Sequence, residues 1–116
     1  MFVNFRIVYN FNVELEIEFK VKSKLGKLIS TTRGYWKIIT EIKHPTIKGK
    51  QKLVMQALVD SGIIKRSSKD RDVYLYYHKL ADKFLCVVTK HENGTGFLIT
   101  AYFTSRIKEG DIVWTK

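Results

Sequence analysis

The stretch GFLITAYFTSR, residues 96–106, decides how this chain is read. Side chains alternate between the two faces of a strand. Strict alternation puts Phe97, Ile99, Ala101 and Phe103 on one face, an apolar one suited to a core. It puts Leu98, Thr100, Tyr102 and Thr104 on the other, with three hydroxyls in a row. A half-apolar, half-hydroxylic strand belongs to a sheet that packs on one side and works on the other. The rest of the sequence supplies the layer that packs.

Working back from residue 96, DVYLYYHK (72–79) and KFLCVVTK (83–90) are strand-like runs rich in β-branched and aromatic residues. The short links LAD and HENGT separate the runs, and the second holds the Asn93-Gly94 turn signal. An antiparallel meander of three strands follows. Upstream, GYWKIITEIKH places Tyr35, Ile38, Ile39 and Ile42 at helical spacing, and Pro45 ends or redirects that helix. KGKQKLVMQALVDSG gives a second helix with Val54, Ala57, Leu58 and Ser61 on its stripe and Gly62 as its stop. Lys48, Lys50 and Lys52 crowd its start, where the helix dipole disfavours cations, and they read as solvated.

The N-terminal part is a hairpin. FNVELEIEFKVK (11–22) alternates strictly, with Val13, Leu15, Ile17, Phe19 and Val21 on one face. FVNFRIVYN (2–10) is the expected partner strand. SKLGKLISTTRG is then a polar connection whose Ser30, Thr31 and Thr32 offer N-cap oxygens to the first helix. The expected fold is α+β: two helices from the N-terminal half, packed on one face of an antiparallel β-meander, with an N-terminal β-hairpin extension. One domain spans 1–116, residues 1–30 forming the hairpin and connection and 31–116 the helix-helix-three-strand core.

The chain has 116 residues, 45% of them hydrophobic, which is enough for a real core. It carries 21 Lys plus Arg against 11 Asp plus Glu, a net charge of +10. That surface favours polyanions, nucleic acid first. Sixteen of the cations are Lys, a bias that genome composition or heat adaptation also produces. Cys86 is the only cysteine, set in the apolar run FLCVV, so neither an intrachain disulfide nor a zinc cluster is expected. It reads as a buried thiol in a reducing compartment. No stretch approaches the roughly 18 apolar residues of a membrane span. The first residues lack the features of a signal peptide, so a cytoplasmic protein without a membrane partner is expected.

If the helices cover the Phe97 face, the other face is open and gathers Thr100, Tyr102 and Thr104. The neighbouring strands add either Tyr74, Tyr76 and His78 or Tyr77 and Lys79, and either Lys83 and Thr89 or Lys90. Hydroxyls and ammoniums bind phosphate oxygens, and tyrosine rings stack on bases. The plainer alternative is a solvated face whose threonines and tyrosines are good strand formers.

The order of these pieces adds a resemblance. KHP (43–45), a helix ending near ALVDSGII, KRSSKDRDVYLYY (65–77), KFLCVVTK (83–90), GFLITAYFTSRIKEG (96–110) and IVW (112–114) follow one another. Over about 70 of its 116 residues the chain thereby resembles small prokaryotic and phage-associated proteins of the barnase–EndoU–colicin–RelE ribonuclease superfamily. TAYFT, followed by a Lys and a Gly, is the most characteristic piece. The resemblance implies reactive groups on the open surface of an antiparallel sheet and cleavage of RNA without metal or cofactor, by attack of a ribose 2′-OH on the adjacent phosphate. On this likeness His44 is the acid or base, Arg66 clamps the phosphate, and Thr100 and Tyr102 hold phosphoryl oxygens or donate a proton. Tyr76, Tyr77, Lys90 and Thr104 bind substrate, with only one of the two tyrosines able to face the site. His78 and His91 read as exposed turn or strand-end residues. Many superfamily members are toxins, so an antitoxin or immunity-type protein joins RNA among the expected partners. The alternatives are a catalytically inert nucleic-acid-binding module or a protein-interaction domain on the same scaffold.

Overall fold

The computed structural model describes residues 14–108 and 110–116. Over these residues the chain is an α+β protein with one seven-stranded, mostly antiparallel sheet. Its strands are β1 (Ile17–Lys22), β2 (Leu28–Thr32), β3 (Ile63–Arg66), β4 (Val73–Lys79), β5 (Phe84–Glu92), β6 (Thr95–Thr104) and β7 (Asp111–Thr115). Across the sheet they run β1-β2-β6-β5-β4-β3-β7. The expected meander β4-β5-β6 lies at the centre, and an N-terminal hairpin, β1-β2, joins its β6 side through a parallel pair. The hairpin is built one strand later than expected. Leu28–Thr32, read as a connection, is the partner of Ile17–Lys22, whereas residues 2–10 lie outside the described residues. β6 is held tightly between its neighbours at Gly96: a Cβ there would sit 2.9 Å from Ile29 Cδ1 of β2 and 2.6 Å from the Lys90 carbonyl of β5.

The helices pack on one face. Helix α1 (Arg33–Ile38) starts at Thr32, whose hydroxyl accepts the Tyr35 N–H at 3.2 Å, the N-cap role its residue type favours. It widens into a π turn over Ile39–Lys43 and then gives way to a 3₁₀ turn, Pro45–Ile47. The extra residue of the π turn shifts the helical stripe. Ile39 and Thr40 are buried, but Ile38 and Ile42, expected inside, are exposed, Ile42 to 74%. Helix α2 (Gln51–Asp60) buries Val54, Ala57 and Leu58 as its spacing requires, with Ser61 buried just beyond it. These side chains close a core with Phe19, Ile29, Ile64, Tyr76, Leu85, Val87, Leu98 and Ala101. Leu15 and Ile17 stay exposed, since the β1–β2 ladder is irregular between Ile17 and Phe19.

The opening strand therefore reads differently from strict alternation. β6 carries a bulge where it faces Val88 and Thr89, so Leu98 opposes Thr89 and Thr100 opposes Val88, with Ile99 as the extra residue. One extra residue resets the two-residue period. Ala101 and Phe103 face the helices as expected, but so does Leu98, only 1% exposed, while Phe97 turns to the other side at 42%. Thr100, Tyr102 and Thr104 stay together on the face away from the helices.

Candidate nucleic-acid interface

Register across the sheet defines that face. One row runs Tyr102, Cys86, Tyr77 and Ile63 across β6, β5, β4 and β3. The next runs Thr100, Val88, Leu75 and Lys65, and further rows place Thr104 beside Phe84 and Lys79, and Phe97 beside Lys90 and Val73. Apolar side chains form the floor, joined by Ile107 from the segment that leaves β6. Lys65, Lys79, Lys90 and Lys108 stand around it. Lys90 is within 3.5 Å of Asp70, and Lys65 Nζ donates to the Lys108 carbonyl at 2.8 Å.

His44 reaches this face around the edge of β6. The β2–β6 pairing stops at Ser30 and Phe97, so among the described residues no strand pairs the edge beyond, and the π turn runs along it. Tyr35 Oη donates to the Ile99 carbonyl at 2.8 Å, and Lys43 Nζ lies 2.9 Å from Tyr35 Oη and 3.3 Å from that carbonyl. The next residue is His44, held in extended φ/ψ (−144°, 80°). A proline at 45 excludes the α region from it. Its ring lies 5.4 Å from the Tyr102 ring, centroid to centroid. From the other side Lys108 Nζ sits 5.2 Å over the Tyr102 ring. Thr100 Oγ1, two residues away, is buried and finds no hydrogen-bond partner among the described residues.

Burial sets the electrostatics of this row. It raises the Tyr102 phenol far above the ordinary tyrosine value, and the neighbouring Cys86 thiol adds to the effect. Tyr77 is pushed up to about 12, again chiefly by burial, with its oxygen accepting the Lys108 N–H at 3.0 Å. Burial drives the Cys86 thiol to about 11 against the hydrogen bonds of Tyr102 and Tyr77, so it stays a protonated, inert side chain.

The structure thus brings together His44, Tyr102 and Thr100, with Tyr77 in the floor and Lys90 at the rim. Thr104 lies on the same face but is tied to the following turn: its hydroxyl accepts the Arg106 N–H at 3.2 Å. Two expected residues lie elsewhere. Tyr76 is fully buried on the helix face, and its hydroxyl bonds Ser23 Oγ at 2.8 Å and His91 Nε2 at 3.1 Å. Arg66 also belongs to the helix face: it pairs in register with Tyr74, holds its guanidinium 5.6 Å over that ring, and bonds the Arg71 carbonyl rather than Asp70 or Asp72. β3 was not legible as a strand in KRSSKD, so the parity of Arg66 was not either. His91, expected exposed, is 7% exposed and stacked on Tyr74 at 3.9 Å. Lys108 is the contributor that spacing alone did not single out; its one sequence signal is being the Lys that follows TAYFT, two residues after Arg106. Among the described residues no group of three or more His, Cys, Asp or Glu is placed to hold a metal ion, and no helix is long and apolar enough to cross a membrane.

No family model, curated protein or solved structure matches the chain.

Proposed function

We propose that this protein is a toxin-like, metal-independent endoribonuclease whose site is the His44–Tyr102 face. The observation that carries the reading is one imidazole and one ammonium each beside the ring of the Tyr102 phenol on one sheet face, with the Thr100 hydroxyl, unpartnered among the described residues, two positions along the strand. The resemblance read in the sequence of residues 43–114 implies the same activity and is part of this proposal.

The chemistry assigns the roles. A phenol raised far above its ordinary value keeps its proton at neutral pH and is a donor, not a base. The base is then His44. It takes the proton of a ribose 2′-OH as that oxygen bonds to phosphorus, and the bond from phosphorus to the 5′-oxygen breaks. Tyr102 protonates the departing 5′-oxygen. Lys108 offsets the charge on the phenolate left behind, and Thr100 Oγ donates to a phosphoryl oxygen. The products are a 2′,3′-cyclic phosphate and a 5′-hydroxyl. Proton transfer from His44 to Tyr102, through solvent, resets the site. Arg66 has no part in this scheme. The lysine rim draws in the backbone, and Tyr77 and Phe84 supply aromatic floor. A cytoplasmic location, and an antitoxin or immunity-type protein that covers the face, belong to the same proposal.

Purified protein incubated with labelled mixed RNA in excess EDTA tests it, alongside His44→Ala and Tyr102→Phe. Cleavage that both variants lose supports the reading; intact RNA with all three contradicts it. A second reading, an inert RNA-binding module, is favoured by the Tyr102 hydroxyl already engaging Cys86. It requires binding that weakens steeply with salt and no scission.

A further inference from the structure

The helix-side end of β2 and the bulged part of β6 part company after Ser30 and Phe97, and a pocket of about 310 Å³ opens between them. Ser30, Thr31, Thr32, Tyr35, Phe97 and Leu98 line it. Three features mark it as a built site rather than a packing gap. Its walls are apolar and aromatic, Phe97 being 42% exposed where a strand this apolar normally buries it. Its polar groups are uncharged hydroxyls alone. And Thr31, only 5% exposed, keeps its Oγ1 buried and without a hydrogen-bond partner among the described residues. A buried hydroxyl left unpaired is a cost to the fold. A ligand that enters and bonds it removes that cost.

We infer that this pocket receives a nucleobase of the RNA substrate, next to the phosphate that is cut. The volume lies at the small end of ligand pockets. It suits one planar heterocycle rather than a longer chain. An aromatic wall stacks on the face of a base, and uncharged hydroxyls pair with the mixed donors and acceptors along its edge. The position fits as well. Phe97 in the pocket and Thr100 in the phosphate site flank the bulge, opposite Lys90 and Val88, which are two residues or roughly 7 Å apart on β5. Lys43 bridges the two: its Nζ contacts Tyr35 Oη of the pocket, and the next residue is His44. The identity of the ligand as RNA rests on the ribonuclease reading; the preference for a base rests on the pocket alone.

The test is a titration of 15N-labelled protein with each of the four nucleoside 5′-monophosphates and, separately, with a single-stranded DNA oligonucleotide, which presents bases but no 2′-OH to attack. Shifts of the Thr31, Tyr35, Phe97 and Leu98 amides are expected from both sources. Oligonucleotide binding should weaken about 5- to 100-fold with Phe97→Ala, as base stacking is lost. It should weaken about two- to tenfold with Thr31→Val. That second variant keeps the shape and removes an unpaired hydroxyl, so its melting temperature should be unchanged or higher, and weaker binding then does not come from unfolding. Unmoved pocket amides, or full affinity in both variants, overturn the inference even if RNA is cut. Pocket binding by a wild type that leaves RNA intact upholds the base site and overturns the nuclease reading instead. Response to mononucleotides but not to the oligonucleotide overturns the substrate role and leaves a free-nucleotide site.

Discussion

Each face of the sheet carries a histidine against a tyrosine, and the two pairs have opposite chemistry. On the helix face His91 is stacked on Tyr74 and hydrogen-bonded to Tyr76 Oη, whose own second partner is Ser23. Burial, with Lys27 and Arg66 nearby, lowers its pKa to about 4. The Tyr76 hydroxyl, the Ser23 hydroxyl and His91 Nε2 are all spent on one another inside the protein. On the other face His44 is partly exposed, sits at a strand edge, and adjoins the protonated phenol of Tyr102, whose ring also carries Lys108 and whose strand places Thr100, unpartnered among the described residues, two positions away. Residue type is the same in both pairs. What separates the structural pair from the one proposed to react is which hydrogen-bonding groups the fold leaves unspent.

The contrast breaks most visibly under mutation of the two histidines. His44→Ala should lower RNA cleavage by about 10²–10⁴-fold, the usual contribution of a positioned acid or base, with a denaturation midpoint near that of the wild type. Equal cleavage by wild type and variant would remove His44 from the site. His91→Ala should do the reverse: about 2–4 kcal/mol less stable in urea titration, because it opens a cavity and removes one of the two partners of the Tyr76 hydroxyl, with cleavage by the folded fraction unchanged.

Acid sharpens the same comparison. An unfolded histidine takes up its proton near pH 6.5, whereas folded His91 does so only near pH 4. Between those values the unfolded state binds more protons. The His91 contribution is therefore full above about pH 6.5 and shrinks as pH falls, with up to about 3 kcal/mol lost by pH 4. Urea titrations across pH 5–7 should show this slope in the wild type and a flatter one in His91→Phe. Smaller still are two effects that should be nearly absent. Arg66→Ala should change cleavage less than about twofold, its guanidinium being on the other side of the sheet. Cys86, with its pKa near 11, should resist alkylation at pH 8 until the protein is unfolded.

The meander, both helices and the hydroxyl row were legible because periodicity and turn residues announce them. What stayed hidden has one cause: a local insertion that resets a period. The bulge at Ile99 moves Leu98 inward and Phe97 outward, and the π turn at 39–43 exposes Ile42 while carrying His44 to the strand edge. Neither has a sequence signature. LISTT and IIKR were too short and too polar to read as strands, so the parity of Arg66, and with it the choice of cation at the site, came only from pairing in space. Tyr76 and Tyr77 are adjacent and must face opposite ways; sequence foresaw the division but not its direction, which the β4–β5 register sets.

The most direct measurement of the central claim is phosphorus NMR of the ends made when the wild-type protein cuts a short RNA in EDTA. Attack by the 2′-OH predicts a 2′,3′-cyclic phosphate, no product from the same oligonucleotide carrying a 2′-deoxyribose at the cut, and no cyclic end with His44→Ala. A 5′-phosphate end, or scission that survives the 2′-deoxy substitution, would contradict the assignment of the His44–Tyr102 face to this reaction.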